Sequence, residues 1–140
     1  MCQFLNQVNV WAVLASGIVY WLLGSLWFSR LFGKTWVKEI ERLGIKHKKP
    51  TKNKMIKKSI ATLILNLVTS LGVALVVIAA VPTCVVSAIC LGLILGICFV
   101  AATMGMGKIW EGRSTKLTLI DIGYPMVGII LSALILTYWK

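Results

Sequence analysis

Apolar residues run along this chain in long blocks, and the polar residues fall between them. One block occupies about residues 9–28, another runs without a charge from Ser59 to Gly107, and a third covers about residues 116–138. The hydrocarbon core of a bilayer is about 30 Å thick and takes about 20 apolar residues in helical form, so each block is long enough to cross it. The uncharged middle block is 49 residues long. As a single helix it would measure about 70 Å, so it has to turn back. Val81-Pro82-Thr83 marks the turn, because proline disrupts a helix interior and suits a helix start. The pattern predicts four spans at about 9–28, 59–80, 83–104 and 116–138, the middle two paired as a tight hairpin. Met104-Gly-Met-Gly107 is read as the end of the third, and Ser114 as the N-cap of the fourth.

Between residues 31 and 45 the period changes. Trp36, Val37, Ile40 and Leu43 recur at helical spacing, with Lys34, Lys38, Glu39, Glu41 and Arg42 on the other positions. This predicts an amphipathic helix over about 33–44, too short to span and suited to the headgroup plane. Residues 46–58 carry seven lysines and His47, interrupted by Pro50 and Asn53, and read as a solvated basic loop. The fold class expected is therefore all-α integral membrane: a single domain of four transmembrane helices plus a short amphipathic interfacial helix after the first span.

The net charge of +11 would suggest nucleic acid in a soluble domain, but 59% of the 140 residues are hydrophobic. The basic residues sit in the connectors, without the interleaved aromatics of a nucleic-acid platform, so the partner expected at residues 46–58 is anionic lipid headgroups. Fourteen of the 15 lysines and arginines lie in segments 30–58 and 108–116, and only Lys140 lies elsewhere. The positive-inside bias then places both connectors in the cytoplasm and both termini outside. The N-terminus lacks a basic n-region, and Trp21, Trp27 and Phe28 stand where a cleavage site would need small residues, so no cleavable signal is expected.

Candidate chemistry is sparse. Cys2, Cys84, Cys90 and Cys98 make no CxxC pair and His47 has no neighbouring ligands, so no metal site, cofactor or catalytic set is assigned. Cys2 and Cys84 could share one membrane face, which would allow a disulfide. Asp121 is the one acidic residue within an expected span, and a carboxylate there is costly unless paired or protonated. It either serves function or is fastened to Arg113, Lys116 or Lys108. Pro125 cannot serve the carbonyl of Asp121, which predicts a kink near Gly123. Trp110, Glu111, Arg113, Asp121 and Tyr124 are expected to form one cluster at this end of the last helix. Thr62, Asn66 and Thr69 share one helix face, as do Asp121, Tyr124, Gly128 and Ser132, which suggests a polar seam between the second and fourth spans. Gly17 and Gly24, and the ladder Ala88, Gly92 and Gly96, permit close helix approach, either between copies or within one subunit.

Two stretches carry a resemblance that covers nearly the whole chain: Trp27-Phe-Ser-Arg-Leu-Phe-Gly-Lys-Thr-Trp36 and Trp110-Glu-Gly-Arg-Ser-Thr-Lys-Leu-Thr-Leu-Ile-Asp-Ile-Gly-Tyr124. Together they resemble the bacterial domain-of-unknown-function family 1761. That resemblance implies four helices and a bacterial inner membrane, and it supplies no activity. The family pattern often has asparagine at the position of Asp121 and histidine at that of Pro125, and this chain departs from it at both. Three function classes follow. A homo-oligomeric structural or regulatory membrane component is favoured, and a small-solute or ion transporter or channel with a polar seam near Asp121 is the alternative. A membrane enzyme is the least supported, because no positioned acid, base or nucleophile is found. Small four-helix exporters have a similar size, but the first span here has no acidic residue to match theirs.

Overall fold

A computed structural model describes residues 7–45 and 51–139. The described chain is all-helical, with four helices long and apolar enough to cross a membrane. Helix α1, Val10–Leu26, starts where the Asn9 side chain accepts from the amides of Trp11 (3.1 Å) and Ala12 (3.2 Å). It runs on as a π-helical turn over Trp27–Leu31, closed by the Phe32 amide on the Trp27 carbonyl at 2.9 Å. The chain then doubles back into the short amphipathic helix α2, Gly33–Arg42, which ends at Gly44 with φ +80°.

Helix α3, Lys52–Ala80, corrects the reading of 46–58 as loop throughout: four of its lysines and Asn53 are helical. Lysine is a good helix former, and once the apolar segment has nucleated, each added residue gains a backbone bond. The helix starts just past Pro50. At 29 residues it is about 43 Å long, so its lysine-rich end exceeds the hydrocarbon thickness. It ends at Val81, whose left-handed φ of +46° is strained for a β-branched residue. Val81→Gly should therefore raise the thermal midpoint in detergent, by the equivalent of about 1 kcal/mol.

The third span comprises α4, Val85–Leu95, a π-helical segment Gly96–Ala101, and α5, Ala102–Glu111. It passes straight through the Met104–Gly107 tail expected to end it. Breaking backbone hydrogen bonds beside lipid costs several kcal/mol, more than the ~1 kcal/mol a helical glycine costs. Helix α6, Thr115–Tyr138, begins at the expected cap, where Ser114 Oγ accepts from the Leu117 amide at 3.2 Å. It remains one helix through Pro125, not two half-helices.

α6 is the common partner of all the others. It packs on α1, α3 and the whole third span and also touches α2, while α1 packs on α3. The second and third spans do not pack along their length, so the tight hairpin expected from the Pro82 turn does not form. Glycines explain the preference. A Cβ on Gly92 would lie 2.8 Å from the Ile130 Cα, and one on Gly96 2.6 Å from the Met126 side chain, so the third span's small-residue face is committed to α6. Ala88, on the same face, is fully buried. Gly17 admits Leu67 of α3, and Gly24 admits the Tyr124 ring. Both glycine ladders thus serve packing within one subunit. The core they close is built from Ala12, Val13 and Tyr20 of α1, Val73, Ala74 and Val77 of α3, and Ile129, Ala133 and Leu136 of α6.

Candidate functional site at the basic end

The π-turn after α1 brings a run of aromatic side chains against the first turns of α6. Trp27 lies across Gly123, where a Cβ would meet its ring at 2.7 Å, and its indole N–H donates to the Ile120 carbonyl at 3.1 Å. That carbonyl is one residue before the one that Pro125 cannot serve. Phe28 packs edge-on against both Tyr124 and Trp36, with ring centroids 5.4 and 5.7 Å apart, and Tyr124 meets Tyr20 at 5.2 Å. The two sequence stretches that carry the family resemblance are therefore a single site in space.

Asp121 lies at its centre, with a side chain 17% exposed. One carboxylate oxygen accepts the Trp36 indole N–H at 2.9 Å, and the other faces the Arg113 guanidinium at 3.4 Å. Arg113 is eight residues earlier, and reaches Asp121 because Gly112, at φ +64°, turns the connector back over the helix start. Glu111 also pairs with Arg113. Beside this group a cavity of about 230 Å³ opens between the third span and α6, lined in part by Thr103, Gly107, Thr118 and Asp121.

Glu39 makes the second fastening. It is only 3% exposed, although the amphipathic pattern placed it among the outward polar positions. Its carboxylate accepts from the Ser114 hydroxyl at 2.6 Å and from Arg42 at 2.8 Å. The Ser114 hydrogen bond, with the Arg42, Lys116 and Lys38 charges, holds Glu39 below its ordinary value of 4.5 against the opposing effect of burial. A depressed carboxylate stabilises the fold fully above its ordinary pKa, and the contribution is lost as pH falls through the lowered value. The wild type should therefore have a higher unfolding midpoint than Glu39→Gln at neutral pH, with the gap closing on acidification below about pH 4.5. A midpoint-versus-pH series of both proteins checks this.

The expected residues separate into three groups. Glu111, Arg113 and Asp121 come together. Tyr124 sits one turn deeper, its hydroxyl facing the Asn66 amide at 2.9 and 3.1 Å, and joins them through the aromatic chain. Trp110 stays outside the cluster at 88% exposure, because its helix position turns it away from α6. The polar seam is also narrower than expected. Thr62 and Thr69 donate to their own helix at the Lys58 and Leu65 carbonyls, leaving Asn66 as the one of the three that bridges to α6. Gly128 holds the Tyr20 ring, whose hydroxyl donates to the Pro125 carbonyl at 3.3 Å. Ser132 and Ser16 are buried with no hydrogen-bond partner among the described residues. Ser70, absent from the expected seam, donates to the Val13 carbonyl at 3.1 Å. The residues missed were Trp27, Trp36 and Glu39. The signal available for them was the pairing of two motifs far apart in sequence, which a shared site explains. Cys84, Cys90 and Cys98 are free thiols, whereas Cys2 and His47 lie outside the described residues. No group of three or more metal-ligating side chains occurs among the described residues.

Fold and site together define a small all-helical membrane-type protein in which a short amphipathic helix is pinned to the start of the last span. A family model described as Protein of unknown function (DUF1761) matches residues 11–137, and the chain belongs to that family. Nothing matches among curated proteins or among solved structures.

Proposed function

We propose that this chain is a homo-oligomeric structural or regulatory component of a bacterial inner membrane, not an enzyme. The observation that carries the reading is the one-sided packing of the third span. Its small-residue face is taken up by α6, while Ile94, Ile97, Phe99 and Gly105 face away from every other helix. A helix with one neighbour in its own subunit offers its other side to a second copy. The site at the basic end supports the structural reading, since Asp121 ties the short helix and the connector to α6 through Trp36 and Arg113, and Glu39 ties the short helix to the α6 cap through Ser114. Disulfide crosslinking of Ile97→Cys in native membranes should yield dimers or larger species. Single-molecule counting that finds only monomers would remove the reading.

The basic end faces the cytoplasm in this reading, with anionic headgroups around residues 46–58 and both termini outside. With the native cysteines replaced by serine, membrane-impermeant thiol reagents applied to intact cells should label Thr83→Cys and spare Lys52→Cys. The reverse pattern inverts the orientation. A transport reading is favoured by one feature, the cavity beside Asp121. It requires that Asp121→Asn abolish proton-coupled flux in proteoliposomes while leaving the protein folded.

A further inference from the structure

We propose that the cleft between α1 and α3 at the basic end binds the headgroup of one anionic, hydroxyl-bearing phospholipid of the phosphatidylglycerol class. The cleft measures about 260 Å³ and is walled by Trp21, Ser25 and Phe28 of α1 and by Ser59 and Thr62 of α3, with Tyr124 of α6 at its floor. Gly24 lines it too, and the Tyr124 ring of the floor rests against it. The hydroxyls in the cleft are of two kinds. Ser25 and Thr62 donate back to the carbonyls of Trp21 and Lys58, so their oxygens present acceptors. The Ser59 hydroxyl makes no hydrogen bond with any described residue and keeps its donor. A phosphodiester alone would use only donors, whereas a headgroup that also carries hydroxyls uses both kinds.

Three cations neighbour the cleft residues along α1 and α3. Lys58 immediately precedes Ser59 and is one turn from Thr62, Lys54 is one turn further on, and Arg30 follows Phe28 by two residues. All three are exposed, and none makes an ion pair with a described residue. The helical extension of α3 carries Lys54 and Lys58 at fixed positions above the cleft, which a disordered basic loop would not do. Trp21 and Phe28 give the glycerol backbone and the start of an acyl chain an apolar wall, as aromatic residues do at the headgroup level. The proposal rests on the basic end lying at a membrane surface. Thiol labelling separately tests which side that surface faces, so the orientation and the lipid site can fail independently.

The test is native mass spectrometry of the purified protein titrated with dioleoyl phosphatidylglycerol against dioleoyl phosphatidylcholine. One phosphatidylglycerol should be retained per chain in preference to phosphatidylcholine. Arg30→Gln with Lys58→Gln should reduce that preference by roughly fivefold for each cation removed. Ser59→Leu, which fills the cleft without changing charge, should lose the retained lipid while keeping the wild-type circular dichroism spectrum. Lys34→Gln with Lys38→Gln removes the same charge from α2 and should leave the preference unchanged. If the α2 pair lowers it as much as the cleft pair does, attraction is diffuse and the site is overturned. Retention of the lipid by folded Ser59→Leu overturns it as well. Should Ser59→Leu not fold, the two charge pairs still decide.

Discussion

Gly128→Leu should unfold the bundle or lower its thermal midpoint more than any other single change considered. Gly128 lies beneath the ring of Tyr20, where even a Cβ would overlap the aromatic carbons. Tyr20 cannot swing clear. It is 3% exposed, its hydroxyl is tied to the Pro125 carbonyl, and Tyr124 packs against its ring. Overpacking a filled core costs about 1–3 kcal/mol for a small insertion, and a leucine here exceeds that range because it also separates α1 from α6. Gly72 provides the control. Nothing lies within 4 Å of a Cβ built there, so Gly72→Ala should stabilise by up to about 1 kcal/mol through helix propensity alone. Thermal unfolding in one detergent compares the pair, and Tyr20→Ala should partly rescue Gly128→Ala. Equal midpoints for Gly128→Ala and Gly72→Ala would contradict the packing described.

Asp121→Leu should release α2 from the bundle, and Asp121→Asn should not. Leucine removes the oxygens that accept from the Trp36 indole N–H and face the Arg113 guanidinium, which keeps Glu111. Removing a hydrogen-bond partner of a charged group costs about 1.5–3 kcal/mol, whereas asparagine keeps an oxygen for Trp36 and gives up only the longer Arg113 contact. Release should appear as faster proteolysis at Lys38 and Arg42 and as a red shift in tryptophan emission. If both variants are cleaved at the wild-type rate, Glu39 and the aromatic contacts suffice to hold α2. The structural reading of Asp121 also predicts unchanged oligomerisation in Asp121→Asn.

The spans were legible in the sequence because a bilayer imposes a length on apolar runs, and that constraint is local. The Ser114 cap was legible for the same reason: a hydroxyl before an apolar helix satisfies amides only two or three residues away. Glu39 was not legible, because an amphipathic pattern separates polar from apolar positions but cannot tell water from the Ser114 hydroxyl of another helix's cap. The end of the third span was missed because glycine is weighed there against water, whereas beside lipid an unpaired backbone group costs far more. The hairpin failed for a different reason. Sequence adjacency suggested that α3 would pack with the third span, but the glycines at 92 and 96 fit α6 and set the pairing.

The position of α6 has a consequence for biogenesis. It is the shared partner of the other spans and follows all of them in the chain, so three apolar helices leave the ribosome before the surface that joins them exists. α1 and α3 can pair while synthesis continues, since they contact each other. The third span has no such recourse and must wait in lipid, or with an insertion factor, until α6 arrives. A nascent chain arrested before residue 115 should therefore hold its third span accessible to chaperones and membrane proteases. Quality control acting on this protein would act chiefly in that interval.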